Sequence, residues 1–164
     1  MNIQILPIKQ EDINLIVDIA KPIWVEHYSP IIGRDQVDYM LDKFQSVKAI
    51  KEQLLQGYRY FKVLNEKQII GYFSTQFRDN SSLFISKFYL AKSARGLGVG
   101  KIMLQFIESL ALECTCNSLD LTVNKYNPAY QVYLKLGFTN QGSVEIDIGN
   151  GYIMDDYLMS KNIS

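Results

Sequence analysis

Arg95-Gly96-Leu97-Gly98-Val99-Gly100-Lys101 separates two stretches of different periodicity. Before it, Leu83 to Leu90 reads as a strand. After it, Val99, Ile102, Met103, Phe106, Ile107 and Leu110 make one apolar stripe at helical spacing, the clearest helix in the chain. A glycine-rich turn that opens a helix suits one kind of ligand. The first helical turn exposes N–H groups without intrahelical partners and carries partial positive charge. Glycines let the backbone approach an anion closely and adopt positive φ. Phosphate or pyrophosphate is therefore the natural ligand, with Arg95 and Lys101 adding charge. The loop by itself also reads as a plain helix-capping turn. Its glycine spacing differs from that of the dinucleotide fingerprint, which opens a first βα unit. Ile102 stands where a nucleoside-triphosphate loop would carry Ser or Thr.

Upstream of the loop, Met1 to Pro7 suits a first strand. Ile13, Ile16, Val17, Ala20 and Trp24 follow at helical spacing, and Pro22 predicts a kink or break among them. Val37 to Gln56 reads as further helix ended by Gly57. Tyr58 to Leu64 and Ile69 to Phe77 are aromatic and β-branched, with Asn65-Glu66-Lys67 as a hairpin turn between them. Downstream, Leu119 to Val123 is a strand. Asn127-Pro128 is an N-cap followed by proline at the first helical position, opening a helix that stops at Gly137. Two last strands, near Ser143 to Ile148 and Tyr152 to Met159, flank the turn Gly149-Asn150-Gly151. This order predicts an α/β (α+β) fold: a mixed, mostly antiparallel sheet of six to seven strands with helices on both faces.

The 164 residues favour one domain spanning 1–164, with enough chain to bury a core. A hydrophobic fraction of 48%, with 11 Tyr and 8 Phe, is a globular composition. Lys plus Arg equals Asp plus Glu at 17 each, which argues against nucleic acid or a membrane surface as partner. No apolar run reaches the length of a membrane span, and the first residues lack the features of a secretion signal, so a cytoplasmic location is expected. Cys114 and Cys116 are too close in sequence for an easy disulfide and read as reduced thiols. With a single His, no structural metal site is expected.

Arg-x-x-Gly-x-Gly at 95–100, after a strand and before a helix, resembles the acetyl-CoA-binding motif of GNAT acetyltransferases. A second pattern follows: Val123-Asn124-Lys125-Tyr126-Asn127-Pro128-Ala129, then Tyr133-Leu134-Lys135-Leu136-Gly137-Phe138, similar to that family's next strand and helix. The two motifs span Leu83 to Phe138, and the strand order agrees along the whole chain. Trp24-Val25-Glu26-His27-Tyr28 and the stretch Asp147 to Tyr157 look like a bacterial branch that includes polyamine acetyltransferases.

The resemblance implies a single GNAT domain that transfers acetyl from acetyl-CoA to a primary amine of a small molecule, such as a polyamine, by direct attack in a ternary complex. It implies that backbone groups of Tyr89, Leu90 and Ala91 pair with the pantetheine arm. It also implies that the loop Arg95, Gly96, Leu97, Gly98, Val99, Gly100 and Lys101 holds the pyrophosphate. Asn127 would contact the pantetheine or cap its helix, and the two roles are compatible. Lys135 would reach the phosphate on the cofactor's ribose, or stay solvated. Tyr133 matches the general acid that protonates the leaving thiolate, or else is a packed aromatic. No carboxylate occurs in Leu83-Phe84-Ile85-Ser86, where some members carry a base, so Glu26 and His27 are the base candidates. Asp155 and Asp156 are candidates to attract a cationic amine, and strand alternation sends them to opposite faces. Two other functions fit the same motifs: a protein N-terminal or lysine acetyltransferase, and a non-catalytic acetyl-CoA sensor. The final hairpin presents strands that could pair between subunits, which leaves a homodimer open.

Overall fold

Aromatic and β-branched residues dominate the middle of the chain, and there they build a meander. A computed structural model describes residues 1–163. Strand β1 (Ile3–Pro7) pairs antiparallel with β2 (Arg59–Asn65), β2 with β3 (Gln68–Arg78), and β3 with β4 (Ser82–Leu90). Beyond β4 lie β5 (Ser118–Asn124), β7 (Tyr152–Asn162) and β6 (Thr139–Gly149), giving the order β1-β2-β3-β4-β5-β7-β6. Only the β4–β5 contact is parallel among the described pairs. The expected mixed, mostly antiparallel sheet is thus formed, with seven strands.

The helices divide between the two faces, as expected. On one face α4 (Val99–Glu113) and α5 (Ala129–Lys135) cover a core of Met103, Ile107, Leu119, Leu121, Phe73 and Met159. On the other, α1 (Ile13–Ile32), α2 (Arg34–Gln45) and α3 (Val47–Leu55) bury Ile16, Trp24, Val37, Ile50 and Tyr72. Within the described residues no helix is long and apolar enough to cross a membrane.

Two expectations are corrected. Helix α1 runs unbroken through Pro22 and Pro30. Proline removes a donor and strands the carbonyl four residues earlier. Pro22 and Asp18 both lie on the solvent side, where water can satisfy that carbonyl, while Ala20, Ile23 and Trp24 anchor the buried side. The stretch 37–56 is two helices, not one. Ser46 has φ −79° and ψ 163°, and its side chain accepts from Ala49 N–H, so it ends α2 and caps α3.

The parallel contact creates the site. Strands β4 and β5 pair through Ser82–Ser118, Leu83–Leu119 and Phe84–Asp120. The β3–β4 register then shifts from Thr75–Ile85 to Ser74–Lys87, leaving Ser86 as an extra residue in β4. Such a bulge bends its strand. Past it, β4 and β5 separate, and residues 85–90 and 121–124 line opposite sides of one cavity.

Candidate active site

The splayed strands leave two facing edges of backbone. On β4, Ala91 N–H donates to Ile70 O at 2.8 Å, so Ala91 points toward β3. Strand backbones alternate, so Tyr89 points the same way and Phe88 and Leu90 point into the gap. Of Tyr89, Leu90 and Ala91, only Leu90 therefore turns its N–H toward the cavity, and Phe88 joins it. This corrects the expectation for Tyr89 and Ala91, whose main-chain groups serve the sheet. Leu90 O is taken by Arg95 Nε at 3.1 Å. On β5, Lys125 N–H donates to Asp155 O, which by the same alternation turns Thr122 and Asn124 toward the gap.

The cavity has a volume of about 1250 Å³ and runs from the glycine loop to α2 and α3. At the loop end, Gly98 sits at φ +83° immediately before α4, without any side-chain cap. The first α4 amides, from Val99, Gly100 and Lys101, are thus left for a ligand, since Ile102 N–H already donates to Gly98 O. Gly96, Gly100 and Lys101 line the cavity, whereas Val99 is core and Leu97 is 55% exposed. Gly100 is informative. It adopts no positive φ, and a Cβ there would meet nothing within 4 Å. Neither conformation nor packing demands glycine at that point, while a Cβ would stand where an anion must approach. With Lys101 beside it, this donor set fits the pyrophosphate of a CoA-type ligand, while the Arg95 guanidinium is engaged by Leu90 O and Glu26. Lys135 lies in the last turn of α5 and outside the cavity lining.

The two base candidates have other partners. Arg95 grips Glu26 with two nitrogens, at 3.1 and 3.0 Å, and its guanidinium holds the Glu26 carboxyl below the usual range. Glu26 does not line the cavity. This ion pair makes it a weaker base and makes Arg95 a tie between β4 and α1. His27 does line the cavity, with Nε2 at 2.8 Å from Asn127 Oδ1. That oxygen also accepts from Ala129 N–H at 2.9 Å, so its identity as an oxygen is determined and His27 Nε2 must carry the proton. His27 is a donor there, bridging α1 to the start of α5 across the cleft. Asn127 is 5% exposed and serves as the expected helix cap.

Tyr28, Tyr89, Tyr133 and Asp156 all line the same cavity. Tyr133 reaches it from α5, with its ring 6.1 Å from Phe88 and 5.7 Å from Phe138. Burial pushes its phenol well above the ordinary value and keeps it protonated. Tyr28 and Tyr89 share a 3.0 Å hydrogen bond between their hydroxyls, and burial pushes Tyr28 up to about 12. Asp155 and Asp156 are both candidates from the sequence to attract a cationic amine, and the structure separates them. In the fold, Asn124–Asp156 pairing places Asp156 on the α1 face of the sheet, 2% exposed and lining the cavity. Burial raises it to about 6, opposed by a Thr122 hydrogen bond and aided by Asp155. Its neighbour Asp155 turns away and pairs with Lys125 at 2.9 Å. No ion pair to Asp156 occurs among the described residues. The signal for Asp156 was present as alternation; its burial and lack of a counterion were not.

Residues 29–153 match the family model described as acetyltransferase (GNAT) domain. Solved structures agree in fold. PaiA N-acetyltransferase from Thermoplasma acidophilum, in complex with coenzyme A, superposes with a TM-score of 0.84 at 17% identity, covering 99% of each chain. An N-acetyltransferase from Staphylococcus aureus Mu50 gives 0.73 at 17% identity over 100% of both chains. A chimera of the spermidine N-acetyltransferase SpeG from Vibrio cholerae and hSSAT gives 0.74 at 17% identity, covering 99% of this chain and 96% of that one. At these identities the likeness is one of fold; the family rests on the domain match, which takes in the glycine loop, the splayed strands and Tyr133. The chain belongs to the GNAT acetyltransferase family.

Proposed function

We propose that this acetyltransferase moves an acetyl group from acetyl-CoA to a primary amine of a small molecule, by direct attack while both are bound. The observation that carries the reading is the cavity itself: it is lined by the glycine loop at the start of α4, by the open β4 edge, and by Tyr133 and Asp156. Acetyl-CoA, when bound, supplies a thioester carbonyl for the amine to attack. Gly96, Gly100 and Lys101 would hold its pyrophosphate, and the Leu90 and Phe88 amides its arm. Those two amides are also donors available to an oxygen that gains charge. Asp156 attracts the ammonium form of the amine, which loses one proton to water to become the neutral nucleophile; as the N–C bond forms, Asp156 accepts the second proton that the nitrogen sheds. A nitrogen engaged in that bond is far more acidic than a free amine, so a carboxyl of about 6 suffices. The Tyr133 hydroxyl gives its proton to the departing sulfur as the C–S bond breaks and takes one back from water, because its raised value disfavours a lasting phenolate.

Direct attack is supported by the lining, where no cysteine is found among the described residues; Cys114 and Cys116 lie elsewhere. A small acceptor is supported by α2, α3 and the β6–β7 hairpin, which wall the acceptor end. Polyamines are the class that the sequence resemblance implies, and one buried carboxylate, Asp156, supports the seating of one ammonium group. CoA release measured against a panel of amines tests the reading, with varied concentrations of both substrates. Intersecting initial-rate lines are expected. Parallel lines would replace direct attack by an acetyl-enzyme. Acetyl-CoA binding without turnover of any amine would make the protein a sensor.

A further inference from the structure

The acceptor end of the cavity carries positive charge that the reaction does not use. Lys87 follows the β4 bulge and lines the cavity, with Nζ donating to Ser86 Oγ at 2.8 Å and lying 5.9 Å from the Phe44 ring. Lys43, on α2, lies 5.8 Å from the same ring and donates to Ile148 O. Arg78 stacks 4.3 Å over Phe84, on the same wall. None of the three pairs with a carboxylate among the described residues. Glu52 and Asp147 share the lining, but both are exposed, and Asp147 accepts from Gly149 N–H. Burial lowers Lys87 to about 8, the mark of an ammonium group that lacks an anion. Lys43 and Arg78 are exposed, whereas Lys87 is half-buried, and a half-buried cation on an apolar wall is costly to maintain without a partner.

We propose that the acceptor is a primary amine with an apolar body and an anionic group at its far end, which Lys87, flanked by Lys43 and Arg78, receives. The amine then faces Asp156 while its body lies along Phe44 and Phe84. This inference rests on the acetyltransferase reading and narrows its acceptor. A polyamine would instead bring its second and third ammonium groups against Lys87 and Lys43, where like charges repel. The anion is a carboxylate or a phosphate, and the two share the chemistry of lysine and arginine recognition.

Matched acceptors test this: 4-aminobutyrate against butylamine, 6-aminohexanoate against hexylamine, O-phosphoethanolamine against ethanolamine, with spermidine alongside. The expected result is a higher kcat/KM for the anionic member of at least one pair, and for that member over spermidine. The carboxylate and phosphate pairs show which anion is preferred. In Lys87→Met the anionic-to-uncharged ratio should fall by about tenfold or more. Arg78→Gln, at an exposed position, should lower the same ratio if Lys87→Met does not fold. The single tryptophan, Trp24, lines the cavity, so its fluorescence reads acceptor binding in the CoA complex separately from turnover. Loss of all turnover would defeat the acetyltransferase reading and still leave the anion site decided by whether 4-aminobutyrate binds more tightly than butylamine. A wild-type preference for spermidine or the uncharged amines, or a ratio unmoved in both variants, would overturn the inference.

Discussion

Replacing Asp156 by asparagine should make the protein more stable and less active. A carboxyl ordinarily at 3.8 that burial raises to about 6 is an ionised group the folded state disfavours. That difference corresponds to a ceiling of about 3 kcal/mol at neutral pH. Solvent entering the cavity screens it, so about 1–2 kcal/mol is the expected gain for Asp156→Asn. For a chain of this size that raises Tm by about 2–8 °C. The sign follows from proton linkage. Between 3.8 and about 6 the folded state binds more protons than the unfolded one, so rising pH destabilises the wild type through this window. The advantage of the variant should be full at pH 7.5 and shrink as pH falls toward 4. Meanwhile kcat/KM should drop about 100-fold or more, because neither the ammonium anchor nor the proton acceptor remains. Scanning calorimetry across pH, paired with CoA-release kinetics, measures both effects. A variant that is less stable than wild type at pH 7.5, or equally active, would refute the reasoning.

Four other outcomes follow from the same geometry. Tyr133→Phe should lower kcat about 100-fold or more while acetyl-CoA affinity by titration calorimetry stays within about threefold; full activity would remove the acid assignment. Gly100→Val should fold normally, since a Cβ there meets nothing within 4 Å, yet bind acetyl-CoA poorly, and unchanged affinity would remove the loop from the cofactor site. His27→Gln keeps a side-chain N–H for Asn127 and should retain turnover within about tenfold, whereas a loss typical of a missing base, about 100-fold or more, would reinstate His27 in that role. Ser46→Ala removes the α3 cap and should cost about 1 kcal/mol in urea unfolding, with no change in m-value.

The parts of this molecule legible in the sequence are those determined over short range. The loop 95–101, the apolar stripe of α4 and the Asn127 cap each depend on residues within a few positions, and the structure forms all three. Ser46 carried a local signal as well, a capping residue ahead of Ala49, but the apolar spacing around it favoured a longer helix. Pro22 misled because its cost depends on whether the Asp18 carbonyl meets water, which only the packing of α1 determines. The site itself is long-range. His27 meets Asn127 across 100 positions and Arg95 meets Glu26 across 69. Alternation sorted Asp155 from Asp156, yet only the fold shows that Asp156 is the one left buried without a cation. Lys87 gave no signal at all, because its meaning depends on a strand bulge and on Phe44 from another element.

The most direct measurement follows an isotopic label. Acetyl-CoA carrying carbon-13 in its acetyl group is incubated with the protein and the amine panel, and the products are resolved by mass spectrometry. The account predicts that the label appears in an amide of a small primary amine, with CoA released in equal amount, and that the initial rates of both fall together in Tyr133→Phe. Label that remains in acetyl-CoA with every amine, or that settles on the protein, would contradict it.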